Sequence, residues 1–346
     1  MKIGIDLGGS HIGIGVINTN GEIVEKIETD LSNIKDIENY IINYIEEKVK
    51  KYVNKYNIES IGVASPGILK DGKITNVVNL GIKEFNISTI LKSKFDIPVK
   101  IKNDAKCAAL AEMKYGSLKS YQDAVFLCLG TGIGGAIFMN GEELKPIKNS
   151  GMELGHMVIE KDGIQCNCGK KGCFETYCSI KRLKNALMEI MNISKETDSK
   201  KLLELLGKST DVRVQETIDT YIDNLIVGLS NIIDIFEPQV ICLGGSFVYF
   251  KDILYKPFIE RFYREKYVFN KKELPEIKLA ILENDAGIIG ATLIWRLTKI
   301  KKNSIIVSSC YHNGKEEIYI CILIKIERLK NYKLICNMFW AGKKTY

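Results

Sequence analysis

Residues 123–144 read DAVFLCLGTGIGGAIFMNGEEL, and their alternation of apolar runs and glycines decides the fold class. Ala124 to Leu129 is an uninterrupted apolar run with the length of a buried strand. Gly130, Thr131, Gly132, Gly134 and Gly135 follow. Ala136 to Met139 reads as a second strand, and Asn140-Gly141 closes it in a turn. Glycines between two strands let backbone amides approach a ligand, and successive N–H groups in such a turn form a nest suited to phosphate oxygens. Taken alone, the stretch fits an ordinary glycine-rich hairpin as well as a phosphate loop.

The same pattern occurs near the N-terminus, where residues 2–24 read KIGIDLGGSHIGIGVINTNGEIV. An apolar strand again enters glycines, here Gly8 and Gly9 followed by Ser10. A second strand, Ile12 to Ile17, again ends at Asn-Gly-Glu, residues 20–22. Two such hairpins, one per half, point to a duplicated α/β architecture with a nucleotide clamped between the halves. Their wide separation excludes a solenoid repeat. The first copy carries Asp6 where the second carries Cys128. A single acid beside a phosphate loop suits magnesium, a hard cation that takes oxygen ligands along with substrate phosphates.

A chain of 346 residues can build two domains with their own cores. Its 26% charged and 46% apolar residues place it among soluble globular proteins. The net charge of +7 is spread without a dense basic block, so it reads as solvated surface and not as a nucleic-acid footprint. No run of 18 apolar residues offers a membrane span. The first strand starts at Lys2 with no leader ahead of it, which gives a cytoplasmic expectation. Ten cysteines in that setting are reduced thiols or metal ligands.

Between the hairpins, apolar residues at 34, 37, 41, 45, 49 and 53 predict an amphipathic helix over 34–56. Strands are expected at 58–64, 73–78 and 98–102, with a turn at Ser65-Pro66-Gly67 and a short helix at 89–95. The strand at 98–102 ends in Asn103-Asp104, and 105–115 reads as a helix. Asp104 thus sits at a strand end facing the ligand crevice of an open α/β sheet. Position alone favours a helix N-cap. The same placement also lets a carboxylate accept a proton from a hydroxyl.

Beyond the second hairpin, Cys166, Cys168 and Cys173 form C-x-C-x4-C, with His156 ten residues upstream of the first. Three reduced cysteines in a loop are the plain alternative. A closed Cys3His zinc site is the stronger reading, since the chain has only three histidines. Helices are expected at 179–192, 200–206, 214–236 and 285–297, and strands at 239–243 and 277–282. Gly244-Gly245-Ser246 forms a third glycine turn that suits an adenosine. The tail from Lys299 to Tyr346 shows strand-like runs at 305–307 and 319–326 and no chemistry. It reads as an extension packed on the surface or poorly ordered.

Taken together, DLGGS at 6–10, SPG at 65–67, NDA at 103–105, GTGIGG at 130–135, ELGH at 153–156 and CNCGKKGC at 166–173 resemble the ROK family of sugar kinases and repressors. The resemblance spans Met1 to Leu297. It implies a two-lobed actin-like (ribonuclease H-like) ATPase fold with a nucleotide and sugar cleft between lobes. The lobes would be 1–115 and 116–298, with helix 285–298 returning to the N-terminal lobe and 299–346 as an extension. It implies Asp104 as catalytic base, and Asn79, Asn103, Asp104, Glu153, His156 and Glu175 around the sugar. Asp6, Gly8, Gly9 and Ser10 match the first phosphate motif, Gly130, Thr131, Gly132 and Gly134 the second, and Gly245 the adenosine motif. His156, Cys166, Cys168 and Cys173 match the zinc ligands. Ser10 stands in place of the usual Thr, and Leu80-Gly81-Ile82 in place of the usual P-G-W.

The implied activity is ATP- and Mg2+-dependent phosphorylation of a hexose on its primary hydroxyl, glucose foremost, in a homodimer or homotetramer that binds no nucleic acid or membrane. Fructose, mannose, N-acetylglucosamine and N-acetylmannosamine are alternative substrates. A non-catalytic sugar sensor or transcriptional regulator is the alternative class. With a strand at Lys2, no helix-turn-helix is expected ahead of it.

Overall fold

The first hairpin is built from β1 (Lys2–Leu7) and β2 (His11–Ile17), antiparallel with Asp6 opposite Gly13. A third strand, β3 (Ile23–Asp30), extends it antiparallel. Helix α1 (Ile37–Lys55) then leads to β4 (Ser60–Ser65), parallel to β1. The small antiparallel sheet β5 (Ile68–Lys70), β6 (Lys73–Val77) and β7 (Ile82–Phe85) follows, then α2 (Ile87–Phe95), β8 (Val99–Asn103) and α3 (Asp104–Tyr115). The resulting sheet has the order β3-β2-β1-β4-β8.

This computed structural model describes residues 1–9, 11–31, 34–70, 73–77, 80–146, 152–264, 274–295, 305–312, 315–324 and 333–337. Its second half repeats the plan of the first. The strands β9 (Ala124–Leu129), β10 (Ile133–Met139) and β11 (Glu142–Glu143) form the antiparallel hairpin and its edge. Helices α4 (Phe174–Cys178), α5 (Ile180–Ile190), α6 (Ser199–Leu206) and α7 (Val212–Phe236) come next. Strand β12 (Val240–Gly244) pairs parallel with β9, and after α8 (Lys251–Phe262), β13 (Glu276–Leu279) pairs parallel with β12. The order β11-β10-β9-β12-β13 matches the first sheet strand for strand. Helix α9 (Asp285–Ala291) ends this unit.

Both faces of the second sheet are covered, which explains why β9 reads as continuous apolar sequence. Val125, Leu127 and Leu129 join Leu225, Leu229, Phe250 and Phe258 in one core. Phe126 and Ala124 point the other way, onto Ala109, Leu110 and Met113 of α3. A separate core lies under the first sheet, where Ile3, Ile5 and Val63 meet Ile41, Ile45 and Val49 of α1. Helix α9 packs on β1, β2 and β4, α3 packs on β9 and β10, and the two helices lie against each other. They are the joint between the sheets.

Several expected boundaries shift. Helix α1 starts at Ile37, β4 runs 60–65, β10 starts at Ile133, β13 stops at Leu279, and α9 ends at Ala291. Strand β3 and helix α8 were not expected. In α8, Pro257 marks a helix breaker, yet Leu254, Phe258 and Phe262 form a buried stripe at helical spacing that outweighs the lost hydrogen bond. The tail is a separate unit, residues 295–346, holding the antiparallel strands β14 (Ile305–His312), β15 (Lys315–Ile324) and β16 (Lys333–Asn337). Among the described residues, no helix is long and apolar enough to cross a membrane.

Candidate active site

Strand β8 ends at Asn103, whose Oδ1 accepts from the Lys106 N–H at 3.2 Å. Asn103 is therefore the N-cap of α3, and the expectation that Asp104 fills that role is corrected. Asp104 is the first helical residue, and its Oδ1 accepts from the Ala105 N–H at 2.8 Å. The cap is displaced by one because β8 continues through Asn103, paired with Ser65. Freed from capping, the Asp104 carboxylate faces a cavity of about 230 Å³ that Asp6, Gly8 and Gly9 also line.

Burial raises the Asp104 carboxyl above its ordinary value, against hydrogen bonds from Ala105, its own N–H and Asn103, and Glu153 adds a like charge. Asp6 is lifted to about 7, by burial first and then by the charges of Asp104 and Glu28. Asp6 and Asp104 face one cavity, and the Asp104 charge disfavours ionisation of Asp6. That is the electrostatics of a site shaped for positive charge, and it suits magnesium. Only a glycine at 287 lets α9 close on this acid, since a Cβ there would overlap the Asp6 carboxylate.

The first hairpin lines this cavity with Gly8 and Gly9 and the second with Phe126 and Cys128 of β9, while the glycines at 130–134 are not among its walls. In the first, the Gly8 N–H donates to the His11 carbonyl at 2.8 Å; in the second, the Gly130 N–H donates to the Gly132 carbonyl at 2.9 Å. Gly134 lies against Ala105, next to Asp104. Gly245, with φ of 67°, abuts Cys128 and Leu129, so the third glycine turn sits beside the second hairpin. Thr131 is exposed at the hairpin tip. Ser10 and Asn79 lie outside the described residues.

Glu153 precedes the short helical turn Leu154–His156, and Glu175 lies in α4, two residues after Cys173. His156 Nδ1 stands 3.6 Å from Glu175 Oε1. The ligand atoms of His156, Cys166, Cys168 and Cys173 all lie within 4.8 Å of one another. Cys168 and Cys173 have their sulfurs 3.5 Å apart, and Cys166 Sγ is 3.7 Å from His156 Nδ1. Zinc bonds of about 2.0–2.3 Å in a tetrahedron require separations of this size, so the donor set fits zinc with every position filled by protein.

Sequence reading missed two residues that line the cavity, His11 and Tyr249, and one buried acid outside it, Glu112. His11 lines the cavity beside Gly8. Tyr249 donates its hydroxyl to Asn284 Oδ1 at 3.0 Å and forms another wall. Glu112, fully buried in α3, accepts from the N–H groups of Ile281 and Leu282 at 2.9 and 2.8 Å and from Ser117. No motif marks these positions; Glu112 alone left a trace, as a charge among the buried positions of an otherwise apolar helix face.

The ROK family profile matches residues 2–298. The chain belongs to the ROK family. It is 32% identical over 322 residues to a glucokinase of Halalkalibacterium halodurans, covering 87% of this chain and 96% of that one. A xylose repressor of Bacillus subtilis is 28% identical over 71% of this chain and 64% of its own length. A ROK hexokinase from Thermus thermophilus superposes with a TM-score of 0.70 at 26% identity, covering 84% of this chain and 96% of that one. The fold is therefore the two-lobed, actin-like ATPase fold of ROK sugar kinases.

Proposed function

We propose that this ROK protein is an ATP-dependent hexose kinase that phosphorylates the primary hydroxyl, with glucose as its main substrate. The observation that carries this reading is Asp104. Its half-buried carboxylate faces the same cavity as Gly8 and Gly9 of the first hairpin and Gly245 of the third glycine turn, where a base and a nucleotide must meet. In this mechanism Asp104 accepts the proton of the sugar hydroxyl as that oxygen attacks the γ-phosphate of ATP. Asn103 holds the same end of the sugar. With the Gly8 and Gly130 amides closing their turns, the amides of Gly9, Thr131 and Gly132 steady the phosphates, and Gly245 receives the adenosine. Catalysis of this kind is mostly positioning and electrostatics. Asp6 would hold Mg2+, which supplies charge neutralisation for the phosphates. Zinc on His156, Cys166, Cys168 and Cys173 would be structural, fixing Glu153, His156 and Glu175 around the sugar. Lobes 1–115 and 116–298 would close over both substrates, in a homodimer or homotetramer.

Glucose is favoured over N-acetylglucosamine by Glu175. A carboxylate accepts from free hydroxyls and gains little from an acetamido carbonyl. The similarity to a xylose repressor supports a second reading, a sugar sensor without catalysis. Retention of both Asp6 and Asp104 favours the kinase. A coupled ADP-release assay over glucose, mannose, fructose and N-acetylhexosamines decides between them. Turnover with glucose highest is the expected result; no ADP release with any sugar overturns the kinase reading. A preference for N-acetylglucosamine overturns only the choice of sugar.

A further inference from the structure

Glu175 reaches two places at once. Its Oε2 accepts from the N–H of Ile133 at 3.3 Å, the first residue of β10 after the Gly130–Gly132 turn. A Cβ at Gly132 would lie 2.6 Å from that same oxygen, so carboxylate and hairpin backbone are in contact. Oε1 points away from the hairpin, 3.3 Å from Cys166 Sγ and 3.6 Å from His156 Nδ1. Two neighbours brace the same turn. The Lys181 N–H, in the first turn of α5, donates to the Gly130 carbonyl at 3.1 Å, and Gly155 packs directly on the Ile133 carbonyl. The turn that offers amides to phosphate thus rests on the segment that carries the sugar-facing acids.

The geometry points to Glu175 as a positioning residue for the second phosphate hairpin, through which sugar and nucleotide bind cooperatively. This rests on the reading of that hairpin as the phosphate site and of Glu175 as a sugar ligand. The physical route is short. A carboxylate gripping an amide restricts the hairpin, and a sugar hydroxyl on the opposite oxygen restricts the carboxylate. Whichever ligand binds first meets the ordering cost for the second. Linkage then requires the same coupling in both directions.

Calorimetric titration of the full-length, zinc-loaded protein tests this, with the non-hydrolysable analogue AMPPNP plus magnesium and with glucose, each alone and with the other present. The natural sequence should bind AMPPNP about fivefold or more tightly with glucose than without it. Glu175→Gln should bind AMPPNP about tenfold more weakly with no sugar present, the scale of a lost charge-assisted hydrogen bond, and should lose the synergy. A residue that only contacts sugar, or only supports the fold, would not change nucleotide affinity at equal zinc content. Gly132→Ala approaches the contact from the hairpin side and should weaken glucose binding with no nucleotide present; it decides the matter if Glu175→Gln does not fold. Unchanged AMPPNP affinity in Glu175→Gln, with weaker glucose binding alone, overturns the coupling and leaves the kinase reading standing. A natural protein that binds neither glucose nor AMPPNP brings down that reading and the coupling with it.

Discussion

Asp104 holds its carboxylate half-buried against the cavity. Burial is the largest reason its carboxyl sits above the ordinary value, so the surroundings penalise its ionised form. Linkage sets the sign of the pH effect. With the folded-state value raised, the folded protein holds a proton that the unfolded chain releases, and stability falls as pH rises through that window. Asp104→Asn removes the penalty. It should melt at a higher temperature than the natural protein at pH 8, with the gap closing as pH falls to the ordinary carboxylate range. The same variant should lose about 10²–10⁴-fold in turnover, since an amide keeps the shape and cannot take the proton. In the natural protein, the acid limb of kcat/KM for sugar should lie above about pH 4, the usual carboxylate value. Wild-type turnover by Asp104→Asn, measured by ADP release, would remove Asp104 from the mechanism.

At the scale of elements, the joint between the sheets is the crossing of α3 and α9. A Cβ at Gly290 would overlap the Cys107 carbonyl on α3, and one at Gly62 would overlap the Ala291 carbonyl on α9. Backbone meets backbone there, so no side chain can give way. Gly290→Ala should cost about 1–3 kcal/mol in denaturant unfolding, the usual cost of overpacking. A neutral or stabilising effect would show that the crossing is looser than it looks. The metal module is the other element with a testable role. Purified protein should carry one zinc per chain by elemental analysis, and a strong chelator should lower the melting temperature, because the ligands come from segments with little apolar cover of their own. Fully active protein without zinc contradicts that. These elements were unevenly legible in the sequence. The hairpins could be read because their strands are buried on both faces and their glycines mark the turns. The cysteine spacing marked the Cys/His cluster that the fold brings together, because its members lie close in the chain. Strand β3 could not be read, since its inward positions Ile23, Glu25, Ile27 and Thr29 are only half-buried and alternate weakly. Nor could the Asn103 cap, because β8 runs one residue further than its apolar pattern. Long-range partners such as Glu112 with residues 281–282 exist only after the chain has folded.

On the scale of the whole molecule, two truncations should separate the working unit from the C-terminal extension. Residues Met1–Ile294 form one compact unit and 295–346 another, and the family match ends at 298. Among the described residues, every wall of the cavity and every member of the Cys/His cluster lies at or before Gly287. Leu293 and Ile294 still pack against buried clusters of the first unit, so a cut must fall beyond them. A chain ended at residue 298 should stay soluble and keep its kcat and KM for sugar and ATP. A chain ended at residue 284 loses α9, whose residues 286–291 are all buried and fill the space beside Gly4 and Gly62 of the first sheet. It also loses the wall against Asp6. That shorter chain should fail to fold, read as loss of a cooperative unfolding transition. A soluble, folded protein of 298 residues without turnover would assign the 299–346 extension a part in the chemistry.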